Sequence, residues 1–167
     1  MAILRQEAAY HVGRQGHHML SVPYASLGHW SELRGLIDEF KRGRAEAGEP
    51  AGENDIVLTF HCHVGESDAA VRATAQEAFE LYVATRLYAR RQTYDDVMTS
   101  GLALFGSVET VADKLVELHQ MGVGHVMLSA RYEVLDMTDT AFGTQRNETS
   151  AWTIRATWVP IAHVKVQ

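Results

Sequence analysis

Cysteine is nearly missing from this chain of 167 residues: Cys62 stands alone, so no disulfide can close within it. Long hydrophobic runs are missing too. No apolar stretch approaches the roughly 20 residues of a membrane span, which excludes a transmembrane helix. Basic charge is not in excess, with a net charge of −6 and a pI of about 5.8, and that argues against a nucleic-acid partner. There is no Gly-x-Ser-x-Gly elbow, no Walker loop and no Gly-x-Gly-x-x-Gly fingerprint. The start, Met1-Ala2-Ile3-Leu4-Arg5-Gln6-Glu7, turns polar too soon for a signal peptide, so a cytoplasmic protein is expected. The sequon Asn147-Glu148-Thr149 is then accidental. What remains is ordinary for one globular domain: 46% hydrophobic and 22% charged residues.

The most informative stretch runs from Leu104 to Arg131. It reads as turn, helix, tight turn and buried strand. Ser107 is the expected N-cap, with Glu109 in the first turn where the helix dipole favours an anion. Val108, Val111, Ala112, Leu115 and Leu118 fall at helical spacing and form one apolar stripe. Gly122 sits where a left-handed C-cap belongs. The strand that follows is apolar on both faces, as in a covered parallel sheet.

The rest of the chain repeats this alternation. Residues 4–15 read as a helix that Gly13 and Gly16 end. Residues 17–24 read as a short strand ended, or placed at an edge, by Pro23. A helix is expected from about Ser31 to Ala47, with Leu33, Leu36, Ile37 and Phe40 on its apolar face and Gly48 as its stop. A second strand covers Asp55 to Val64, and Ser67 or Asp68 caps a helix from about Ala69 to Arg91. Residues 92–103 read as loop or a short helix. After Arg131 the sequence is polar and aperiodic until Trp152, Ile154, Ala156 and Trp158 alternate with polar residues, an extended pattern that Pro160 limits. The order implies an α/β fold with right-handed parallel crossovers.

In such folds ligands bind beyond the carboxyl ends of the strands. Alternation assigns Ile56, Leu58, Phe60, Cys62 and Val64 to the helix-facing side and Val57, Thr59, His61 and His63 to the other. In the last strand His125, Met127, Ser129 and Arg131 face the same way, with Arg131 uppermost. Met19, Ser21 and Pro23 are assigned inward in the first. The candidate pocket residues are therefore His61, His63, Ser129, Arg131 and Ser21. His61-Cys62-His63 is not read as a metal site, because alternation turns Cys62 away from both histidines and no third ligand is placed. The two histidines either line a polar pocket or are hydrogen-bonded in a wet core. Arg131 either holds an anionic group or is a surface arginine. Gly106-Ser107 either receives an anion or is only a cap, and Cys62 is core packing.

Residues 105–115, Phe-Gly-Ser-Val-Glu-Thr-Val-Ala-Asp-Lys-Leu, followed by Gly122-Val123 and an apolar strand, resemble the late segment of the luciferase-like monooxygenases. Glu7-Ala8-Ala9, Glu46-Ala47-Gly48 and Val64-Gly65-Glu66-Ser67-Asp68 resemble earlier pieces of the family in the same order. The resemblance covers residues 3–132. It implies a partial (β/α)8 TIM barrel, holding strands six to eight with their helices, and a divergent, irregular or extended tail over 133–167. It also implies a flavin-dependent oxidoreductase, with FMN or reduced flavin as cofactor, deazaflavin F420 as the alternative, or none in a chain without the early strands. No residue matches a family catalytic motif closely enough to inherit a role.

A half-barrel exposes inward apolar residues and two strand edges. The expectation is therefore a homodimer or higher oligomer that covers them, acting on a small molecule, with no nucleic acid and no membrane. The alternative functions are a non-catalytic oligomerising half-barrel, or a small-ligand-binding module that uses the His61/His63 face without turnover.

Overall fold

In the computed structural model, which describes residues 1–85, 92–129 and 159–160, strands and helices alternate along the chain. The strands are β1 (Ala2–Ile3), β2 (Met19–Ser21), β3 (Ile56–Gly65), β4 (Leu104–Ser107), β5 (His125–Ser129) and β6 (Val159–Pro160). The helices are α1 (Ala8–Arg14), α2 (Pro23–Ser26), α3 (Leu33–Glu46), α4 (Asp68–Ala84), α5 (Tyr94–Ser100) and α6 (Val108–Gln120). The sheet order is β1-β2-β3-β5-β6, with β4 also beside β3. Every pairing is parallel except β5–β6. Strand β3 serves β5 and β4 with successive stretches: Val57 to His61 pair with β5, and Cys62 to Gly65 pair with β4.

Long periodic segments fold as their spacing predicts. Helix α3 buries Leu33, Leu36, Ile37 and Phe40. Ser67 caps α4 by accepting from Ala70 N–H, and Ser107 caps α6 by accepting from Thr110 N–H. At the end of α6, Gly122 N–H donates to the His119 carbonyl and Val123 N–H to that of Leu118, with Gly122 at φ +86°. That is a Schellman ending, which requires a residue tolerant of positive φ.

Short elements differ from the sequence reading. The first helix begins at Ala8, because Ala2–Ile3 pair with β2 and place one more parallel strand before it. Pro23 starts helix α2 instead of closing a strand: its fixed φ and missing N–H suit a first helical turn. Leu104–Ser107, read as a turn, is strand β4; four residues carry no period of their own and depend on the end of β3. Val108 is 53% exposed, so the apolar stripe of α6 starts at Val111. The alternating segment 152–158 lies outside the described residues. Directly after it, Val159–Pro160 pair antiparallel with Val126 and His125.

Helices cover both faces of the sheet. On one, α1, α3 and α6 pack on Met19, Ile56, Leu58, Phe60, Leu104 and Val126. On the other, Val71, Ala75 and Phe79 of α4 and Tyr94 and Val97 of α5 meet Ala103 and Phe105. Two lysines tie loops to this frame. Lys41 Nζ donates to the Met121 carbonyl (2.6 Å), and Lys114 Nζ donates to the carbonyls of Gly101 (2.8 Å) and Ala103 (2.7 Å). Burial pushes the Lys114 ammonium below the usual lysine range, against the opposing pull of Glu117 and Asp68. No helix among the described residues is long and apolar enough to cross a membrane.

Candidate functional site

Register fixes which side chains share the inner face. Directly opposed residues of a parallel pair point the same way. Val57 faces His125, Thr59 faces Met127, and His61 faces Ser129. His63 faces Phe105 at the carboxyl end, and Leu20 faces Val57 at the other. The sequence assignment of β3 and β5 therefore stands. Thr59, His63, Met127 and Ser129 are partly exposed, whereas His61 is 1% exposed.

The burial of His61 has a definite cause. The Tyr24 ring lies 4.2 Å from it, centroid to centroid, and the rings of Phe79 and Tyr82 meet it nearly edge-on at 5.2 and 5.6 Å. Phe79 and Tyr82 come from α4, which crosses the inner face at its carboxyl end. An open inward face was expected; instead an aromatic layer closes it over His61. His63 lies at the rim, with Nε2 3.0 Å from Thr74 Oγ1 of the same helix. Tyr24 escapes a reading of the sequence because it stands on the four-residue helix α2, and Thr74, Phe79 and Tyr82 escape it because their approach to β3 depends on which side of the sheet α4 takes. A helical stripe looks the same in either case.

Ser21 is a correction. It pairs with Leu58, so it stands on the helix-covered face, fully buried, with its hydroxyl 3.4 Å from Ser26 Oγ. Met19 shares that side. A three-residue strand holds too little alternation to fix parity. Arg131 lies outside the described residues. Cys62 packs in the outer core, where burial pushes its thiol up to about 11, and a neutral buried thiol is a poor nucleophile. His17 and His18 are exposed, with His18 Nδ1 3.0 Å from Asp55 Oδ1. Among the described residues no three metal-ligating side chains converge.

The amino termini of α4 and α6 meet beside the end of β4, where the Asp68 carboxylate takes part of the donor set. Asp68 Oδ1 accepts from Ser107 N–H (2.7 Å) and from Thr110 Oγ1 (3.2 Å). The Asp68 carboxylate stands where an anion would otherwise bind, so Gly106-Ser107 is a cap. Gly106 permits this contact, since a Cβ there would lie 2.6 Å from Asp68 Oδ1. Asp68→Ala is expected to lower unfolding free energy by about 1–2 kcal/mol, the value of a charge-assisted bond reduced for its exposure. Asp68→Asn should restore part of it, as read by urea denaturation.

A cavity of about 280 Å³ opens between the end of α4 and the start of α5, lined by Glu80, Val83, Ala84, Gln92, Thr93 and Asp96. None of the inner-face residues lines it. The inner face carries hydrogen-bonding side chains at Thr59, His63 and Ser129 beside the apolar Met127. Such a set can hold the polar edge of a ring against an apolar wall.

The sequence profile of the luciferase-like monooxygenases matches residues 4–125. The chain belongs to this family. No curated protein matches it. Among solved structures, this family member resembles monooxygenase RslO1 from Streptomyces bottropensis, at 18% identity and a TM-score of 0.59 over 75% of this chain and 37% of that one. It also resembles the oxygenating constituent of 3,6-diketocamphane monooxygenase from Pseudomonas putida, a type II Baeyer-Villiger monooxygenase in complex with FMN. There the values are 15% identity and a TM-score of 0.54, over 73% of this chain and 38% of that one. An F420-dependent secondary alcohol dehydrogenase in complex with an F420-acetone adduct gives 16% and 0.51, over 77% and 42%. These likenesses establish a shared fold, a partial barrel of the luciferase-like type. The chain spans about 40% of the length of those structures.

Proposed function

We propose that this luciferase-like chain is a flavin- or deazaflavin-dependent oxidoreductase and that its inner sheet face forms part of the cofactor pocket. One observation carries the reading: His63 and Ser129, both partly exposed, stand toward the carboxyl ends of β3 and β5, where α/β folds bind ligands, with Thr59 and Met127 partly exposed on the same face nearer the middle of the strands. The donor set fits the ring of such a cofactor. Hydroxyls of Thr59 and Ser129 suit ring carbonyls, His63 suits a ring N–H, and Met127 supplies an apolar wall. When bound, the cofactor supplies hydride exchange or oxygen activation. The chain's own part is to hold the ring edge and, through Tyr24, Phe79 and Tyr82, to keep water from the space over His61. For the phosphate end, the described face offers no cation, and Arg131 is the nominee.

The partly exposed row and the edge of β1, which has no second strand among the described residues, would be covered by a second copy, so a homodimer or higher oligomer, in the cytoplasm, goes with this reading. A non-catalytic oligomerising half-barrel is the second reading, and the closure of α4 over His61 favours it.

Titrating purified protein separately with FMN and F420, with light scattering on the same sample, separates the two. Saturable binding of one cofactor by a defined oligomer, weakened several-fold by Ser129→Ala or Thr59→Val, is the expected result. A well-folded oligomer that ignores both cofactors would leave only the second reading.

A further inference from the structure

Among the described residues, His63 has a partner at Nε2 and none at Nδ1. Its Nε2 lies 3.0 Å from Thr74 Oγ1. The same hydroxyl lies 3.0 Å from the Ala70 carbonyl and 3.2 Å from that of Val71. A hydroxyl has one proton to donate. Threonine inside a helix gives that proton to the carbonyl four residues back. The oxygen then turns lone pairs toward the imidazole, so His63 donates from Nε2. A neutral ring protonated at Nε2 carries its free lone pair on Nδ1. Among the described residues, Nδ1 makes no hydrogen bond.

We propose that Thr74 fixes His63 as the Nε2–H tautomer, so that Nδ1 accepts a hydrogen bond from the N–H of a heterocyclic ligand seated on the inner face. His63 is the binding residue and Thr74 the positioning one. This rests on the reading that the inner face forms part of a flavin or deazaflavin pocket, and it names the polarity of one contact within it. The chemistry is complementary: an imide edge presents an N–H, and the lone pair on His63 Nδ1 is an acceptor for it.

The first test needs no ligand. In ¹⁵N-histidine-labelled protein at alkaline pH, where imidazoles are neutral, the His63 resonances should report protonated Nε2 and unprotonated Nδ1. Thr74→Val should mix the tautomers, and Thr74→Ser should keep the single form. The second test compares lumiflavin with N3-methyl-lumiflavin, which lacks the imide proton. The methylated ring should bind roughly tenfold more weakly, the upper range of one neutral hydrogen bond. That preference should shrink in Thr74→Val and persist in Thr74→Ser. A proton on Nδ1 in the unmutated protein overturns the proposal. Equal affinity for the two rings also overturns it, while leaving the flavin reading intact. Binding of neither ring overturns both.

Discussion

Gly43→Ala is expected to remove about 3 kcal/mol or more of stability, a large share of the 5–15 kcal/mol typical of a domain. Helices α1 and α3 cross at a pair of glycines. A Cβ on Gly43 would lie 2.1 Å from the Tyr10 carbonyl oxygen and 2.8 Å from the Arg14 nitrogen. A Cβ on Gly13 would lie 2.3 Å from the Phe40 carbonyl oxygen. Both obstacles are helix backbone, which cannot rotate aside as a side chain does. The helices must separate, and that loosens Ala9 and Val12 from Leu36 and Phe40, all at most 3% exposed. Gly48→Ala separates crowding from conformation: its φ is +81° but a Cβ there meets nothing within 4 Å. Its cost should stay near 1–2 kcal/mol, the strain of a left-handed residue. Urea denaturation of the two variants checks the order, and a Gly43→Ala protein as stable as Gly48→Ala would refute the close crossing.

Phe79→Ala is the second large effect, expected to cost about 3–5 kcal/mol as a buried aromatic truncation. Phe79 is 0% exposed. Its ring stands 5.2 Å from His61, 5.5 Å from Phe105 and 6.4 Å from Tyr94. Removing it takes a shared wall from the α4–α5 cluster and from His61 together, and such edge-on pairs contribute beyond their area. Phe79→Leu, which refills most of the volume, should cost less than half as much. NMR adds a local readout, because the His61 ring lies within ring-current range of the aromatic layer and its proton signals should shift in Phe79→Ala. An unchanged His61 signal in a destabilised variant would mean that α4 does not cover that histidine.

The sequence by itself settled whatever depends on near neighbours along the chain. Strand β3 is long enough that alternation separates His61 and His63 from Phe60 and Cys62, and register confirms it. The caps at Ser67, Ser107 and Gly122 are local arrangements of hydrogen bonds and φ, so residue type reveals them. The ordered pieces from Glu7 to Val123 carried enough pattern to point to the family that the profile then matched over residues 4–125. Tertiary structure decided the rest. Strands β1 and β4, of two and four residues, exist only because a partner strand is present. The face of Ser21 was set by its pairing with Leu58. Asp68 reached Ser107 across 39 residues, a contact no local pattern announces. Above all, the side of the sheet on which α4 lies determined that His61 is buried under aromatic rings while His63 remains at the rim. Periodicity shows that a helix has an apolar face, and packing alone decides what that face covers.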